Sequence, residues 1–75
     1  GTANRPVLGR TGKIRSATLD QSGGQIEVED EENPLLMAAK LVDGAPAMAK
    51  GEEVIIFRYD REKGVCHVRP LSSNT

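Results

Sequence analysis

Tryptophan is absent from this chain, and Phe57 and Tyr59 are its only aromatic residues. A core must therefore come from Val, Ile, Leu, Met and Ala, which bury less area than rings, so moderate stability is expected of 75 residues. Cys66 and His67 are each the single residue of their kind. One cysteine rules out an intrachain disulfide framework, and the two residues together fall short of the four ligands of a structural zinc site. A lone thiol fits a reducing compartment. No run of about 18 apolar residues occurs, which excludes a helical span or a secretory leader within this sequence. Neither sign of charge dominates: 10 basic and 11 acidic side chains leave a net charge of −1. Binding by phosphate neutralisation needs a large basic excess, so no nucleic-acid partner is expected.

What is present suits one folded domain, with 37% hydrophobic and 28% charged residues. The charges are segregated. Residues 1–19 carry Arg5, Arg10, Lys13 and Arg15 with no acid, whereas residues 20–34 carry Asp20, Glu27, Glu29, Asp30, Glu31 and Glu32 with no base. On adjacent strands the two blocks would attract, at about 0–1 kcal/mol for each exposed pair. The opening Gly1-Thr2 reads as a cloning remnant, and the chain as a piece of something longer.

Residues 7–19 read as a first strand, with Gly9 and Gly12 marking a bend or bulge. Asp20-Gln21-Ser22-Gly23-Gly24 is a turn. Residues 25–29 alternate cleanly, with Ile26 and Val28 on one face, as a half-buried strand does. Residues 33–44 admit two readings. Asn33-Pro34 at the start, Gly44 at the end and the helix formers between them suit a short helix, and a third strand entered through a proline turn suits them equally. Pro46 with Gly44 and Gly51 makes residues 44–51 a loop. Glu53 to Tyr59 is a strand apolar on both faces, Asp60 to Gly64 a hairpin loop, and Val65 to Arg69 a last strand stopped by Pro70. Short strands separated by glycine turns predict an all-β fold, a small closed barrel of the OB or SH3-like kind, with a five-stranded OB-like Greek-key barrel over residues 7–71 as the expectation and flexible ends at 1–6 and 72–75. Closure also removes strand edges that a small open sheet would have to protect.

None of the candidate chemistries is complete. Cys66 and His67 are neighbours on a strand and point to opposite faces, so they cannot act on one substrate. The acids from Glu27 to Glu32 lack the spacing and central glycine of a calcium loop. Gly9-Arg10-Thr11-Gly12 lacks the Gly-Lys-Ser/Thr ending of a phosphate loop. Ala47-Met48-Ala49-Lys50 places its lysine one residue beyond the position at which an Ala-Met-Lys turn is biotinylated. Neither catalytic residues nor cofactors are expected. Phe57 and Tyr59, two apart, are expected to share one strand face beside Arg58 and Arg69. These four residues are the candidate partner-binding site. Aromatic pairs on OB barrels also stack single-stranded bases, which keeps a single-stranded nucleic-acid-binding domain as the alternative function.

The order of motifs resembles the C-terminal OB-fold domain of NfeD-like and YqiJ-like bacterial inner-membrane proteins. The likeness rests on Gly9-Arg10-Thr11-Gly12-Lys13-Ile14, the Gly23-Gly24 turn before the Gln25–Glu29 strand, Asp43-Gly44-Ala45-Pro46, Lys50 to Ile56, and Val65 to Leu71. It implies a five-stranded barrel attached to membrane helices outside this chain, on the cytoplasmic face, with flotillin- or stomatin-like scaffold proteins as partners. It also implies that residues 35–41 form a strand, against their local propensity. Long NfeD relatives carry a separate serine protease domain; nothing in this sequence matches it, so no catalytic residue carries over.

Overall fold

The computed structural model describes residues 8–29 and 33–71. It contains β1 (Thr11–Ile14), β2 (Thr18–Leu19), β3 (Gly24–Val28), β4 (Leu35–Leu41), β5 (Met48–Ala49), β6 (Glu53–Asp60) and β7 (Val65–Pro70). Five of these close into a barrel in the order β1-β3-β4-β7-β6, and β2 and β5 pair beside it. All barrel neighbours are antiparallel except β4 and β7, which run parallel, and β1 seals the ring against β6 through Thr11–Ile55, Gly12–Val54 and Lys13–Glu53. This is the five-stranded Greek-key arrangement of an OB fold. The expectations for Val7, for flexible ends at 1–6 and 72–75, and for Asp30 to Glu32 lie outside the described residues.

Alternation builds the barrel. Along β1, β3 and β7 every second side chain is buried: Gly12 and Ile14, Ile26 and Val28, Cys66 and Val68. Together with Leu19, Ala39, Leu41, Met48, Val54 and Ile56 they form a core without a buried ring or a buried charge. Each fully buried Val, Leu or Ile contributes roughly 1.5–3 kcal/mol, so aliphatic packing alone can carry so small a domain. The polar cost of burial is avoided, since no buried side-chain nitrogen or oxygen among the described residues lacks a partner.

The helix reading of residues 33–44 gives way to the strand. β4 pairs with β3 over Gly24–Ala39 through Val28–Leu35 and with β7 over Ala38–Val65 through Leu41–Val68. Two ladders and a buried face outweigh a helix propensity that differs by only tenths of a kcal/mol per residue. Two other boundaries move. The first strand is not continuous to Leu19: Ser16 folds back to accept a hydrogen bond from the Gln25 amide and to donate one to the Thr18 carbonyl. This sends Thr18–Leu19 off the barrel to pair with Met48–Ala49. The stretch read as loop thus holds a short strand whose Met48 plugs the core. Gly24 makes that fold-back possible, because a Cβ there would lie 2.8 Å from the Thr18 carbonyl oxygen, the Leu19 side chain and the Ser16 hydroxyl.

Candidate functional site

The segment that breaks alternation is the one that carries the aromatic residues. In the β6–β7 ladder Ile56 faces Val68 but Arg58 faces His67, so Phe57 and Arg58 together oppose His67. The extra residue is a β-bulge, and it changes which faces the side chains occupy. Before it, Val54 and Ile56 point inward; after it, Tyr59 pairs with buried Cys66 and packs on the core. Phe57 points outward by alternation from Ile56, is 43% exposed, and meets the His67 ring at a centroid distance of 6.5 Å with a 54° tilt. The expectation that Phe57 and Tyr59 share one face is therefore corrected. Counting by twos fails across an inserted residue.

The bulge brings Phe57, Arg58 and His67 to one patch on the outside of the barrel. Arg69, opposite the outward Ile55, lies next along β7. On the other flank the parallel pairing sets Lys40 of β4 beside His67. Lys40, His67 and Arg58 thus occupy one row across three strands, with neighbours about 5 Å apart. Lys40 and His67 were missing from the expected site. His67 could have been found, being the outward neighbour of an inward cysteine; Lys40 could not, because its place depends on a pairing with β7. Among the described residues, no carboxylate pairs with Lys40, Arg58 or Arg69. Asp60, the nearest acid on β6, accepts hydrogen bonds from the Glu62 and Lys63 amides and is committed to the hairpin.

The opposite side of the barrel is arranged differently. Lys13 on β1 stands between Glu27 of β3 and Glu53 of β6, and Arg15 forms an ion pair with Glu27. Here the basic and acidic blocks of the sequence meet, as their segregation implied. Together with Glu29 these side chains line a shallow groove of about 320 Å³ over Gly12. OB folds commonly bind oligonucleotides on their second and third strands, here β3 and β4. The outward positions there are Gln25, Glu27, Leu36, Ala38 and Lys40, with no ring for a base to stack on.

The remaining candidates resolve by position. Cys66 is fully buried, 3.8 Å from the Met37 sulfur, and burial pushes its thiol pKa up. A reactive thiol needs the reverse, an exposed setting that stabilises the thiolate. His67 is on the other face, so no dyad forms. Asp20 fastens the β2–β3 turn: its carboxylate accepts from the Ser22 hydroxyl at 2.6 Å, the Ser22 amide at 2.9 Å and the Gly23 amide at 3.2 Å. The Ser22 hydroxyl, then the Ser22 amide, hold it below the usual carboxylate range, although partial desolvation opposes them. Among the described residues no group of three or more His, Cys, Asp or Glu is placed to hold a metal ion, and no helix is long and apolar enough to cross a membrane.

No family model matches this sequence, and no curated protein is matched by it. Solved structures do match its fold. The C-terminal domain of stomatin operon partner protein 1510-C from Pyrococcus horikoshii superposes with a TM-score of 0.72 at 22% identity, covering 97% of this chain and 100% of that one. The soluble domain of a membrane protein implicated in regulation of membrane protease activity, from Corynebacterium glutamicum, superposes with a TM-score of 0.71 at 15% identity, over 88% of this chain and 94% of that one. The likeness read from the sequence agrees with these neighbours in fold.

Proposed function

We propose that this barrel is a non-enzymatic interaction domain of a bacterial membrane protein, an adaptor that engages a stomatin- or flotillin-like scaffold partner at the cytoplasmic face of the inner membrane. The observation that carries the reading is the outer face of β4, β7 and β6. There Lys40, Arg58, Arg69 and the bulged Phe57 stand together around His67 without a neutralising acid among the described residues. Clustered arginines with an exposed ring are what protein interfaces enrich. The fold neighbours support the setting, since one is a stomatin operon partner protein and the other a domain of a membrane protein. Tyr59 supports the site from beneath by packing the bulged strand onto the core.

The test is capture of a purified stomatin-like protein by the immobilised domain. Arg58→Ser with Arg69→Ser should weaken capture at least about tenfold, the loss of two interface arginines, while the melting temperature holds. Unchanged capture removes this face from the adaptor reading. Titration with a labelled single-stranded oligonucleotide separates the alternative: salt-sensitive binding at micromolar concentration, lost in the same variant, would favour a nucleic-acid role.

A further inference from the structure

The face whose cations have no ion pair among the described residues also carries an apolar ring turned to water. Phe57 is 43% exposed in the middle of a barrel strand, outward by alternation from Ile56, and the bulge turns Arg58 outward beside it. Leu8, 55% exposed, lies across the other edge of β6, on the β1 side, since the Gly9 amide donates to the Ile56 carbonyl and the Ile56 amide to the Arg10 carbonyl. Folding does not require either exposure. The core is complete without Phe57, and Lys40, Arg58 and Arg69 are gathered around His67, which places like charges near one another at a mild cost.

The strand order also gives the barrel a polarity. In a ring ordered β1-β3-β4-β7-β6, the β1–β3 side is diametrically opposite β7. Glu27 and Glu29 lie on that side, whereas Lys40, Arg58 and Arg69 lie on β4, β6 and β7, with Glu53 and Asp60 at the two ends of β6. A domain with a net charge of only −1 can therefore still turn Lys40, Arg58 and Arg69 toward a negative surface, with Glu27 and Glu29 on the far side. The basic face is convex, being the outside of a narrow barrel. A projecting ring flanked by arginine and lysine suits a headgroup layer, where the ring enters the interface and the cations meet lipid phosphates.

We infer that the Phe57–Arg58–His67–Arg69–Lys40 face docks reversibly on an anionic phospholipid surface, with Phe57 as a shallow anchor. The inference rests on the reading of the barrel as a domain of a membrane protein, and it deepens that reading by giving the domain a lipid-bound orientation. A vesicle-sedimentation assay with the full chain tests it. Vesicles of phosphatidylglycerol mixed with phosphatidylcholine should retain the chain at low salt, and vesicles of phosphatidylcholine alone should not. Each arginine removed should weaken retention about fivefold, so Arg58→Ser with Arg69→Ser loses more than tenfold. Arg15→Ser, on the opposite side, should change little. Raising the salt to about 0.5 M should release the chain. Because the sequence has no tryptophan, Phe57→Trp supplies a single reporter, and its emission should shift to the blue on anionic vesicles.

Equal retention of the double arginine variant, or a tryptophan emission that does not move, overturns the inference. So does equally tight retention of a single-stranded oligonucleotide by the same arginines, which would make the face a general polyanion site. Capture of the stomatin-like protein in lipid-free solution is read separately. Capture without vesicle binding refutes lipid docking alone, and vesicle binding without capture refutes the scaffold partner alone.

Discussion

Two sides of one barrel use the same residue types to opposite ends. Outside β1 and β3, each base has an acid opposite or beside it: Lys13 lies between Glu27 and Glu53, and Arg15 pairs with Glu27. Outside β6 and β7, Arg58, His67 and Arg69 neighbour one another and Lys40, without an ion pair among the described residues. The first side is compensated within the fold; the second is left for something else to compensate. The difference teaches where to look for function on a domain with no reactive cluster among its described residues. A compensated surface gains little from a partner, because binding must first desolvate its own pairs. An uncompensated one costs the folded state a little and gives that back on binding.

Below the surface the two sides should not differ. Ile26 lies under the compensated side and Val68 under the basic one, and both are fully buried. Ile26→Ala should cost about 2–5 kcal/mol by urea denaturation, and Val68→Ala somewhat less for its smaller side chain. A negligible cost for Val68→Ala would mean that the basic side is a loose flap, which would undo the comparison. Gly24→Ala comes next. Its new methyl would meet the Thr18 carbonyl at 2.8 Å, so a loss of roughly 1–3 kcal/mol is expected, with β2 and β5 detaching.

Smaller effects separate the surfaces. Arg15→Ala should cost about 0–1 kcal/mol, and added salt should erase that cost, as for any exposed pair. Arg58→Ser should lie within about 0.5 kcal/mol of zero or be slightly stabilising, since it relieves like charges across strands. An arginine whose loss stabilises the fold while weakening capture is the signature of a binding residue. A clear loss of stability at Arg58 would make the face structural.

Asp20 adds a pH dependence that belongs to neither side. Its pKa is lowered in the folded chain by the Ser22 and Gly23 hydrogen bonds. The folded state therefore binds the proton less well than the unfolded chain. Its contribution is present above the ordinary carboxylate range and is lost as pH falls through the lowered value. Melting curves of wild type and Asp20→Asn should accordingly differ most near neutrality and converge in acid. A gap that stays constant with pH would mean that the carboxylate charge plays no part in the turn.

Much of the barrel was legible because it depends on local alternation. Residues 25–29 put Ile26 and Val28 inward with nothing but their own spacing to say so, and the charge blocks implied attraction on adjacent strands, which Arg15 and Glu27 realise. The same rule misled at Phe57. A run such as Ile55-Ile56-Phe57-Arg58-Tyr59 has no mark to show where one residue is skipped, so its aromatics were assigned to one face when they occupy two. Lys40 was illegible for another reason. It sits in a segment equally fit for a helix, and only pairing with a strand far along the chain turns it toward His67.

By itself the sequence determined an aliphatic core, strands closed by glycine turns, and a chain too poor in cysteine and histidine for a structural zinc site or a disulfide scaffold. These properties follow from composition and from contacts a few residues apart. The tertiary structure alone decided the bulge at Phe57, the departure of Thr18–Leu19 to pair with Met48–Ala49, and the row of Lys40, His67 and Arg58 across three strands. Register between distant strands is set by how well the whole core fills, and no single segment carries that information.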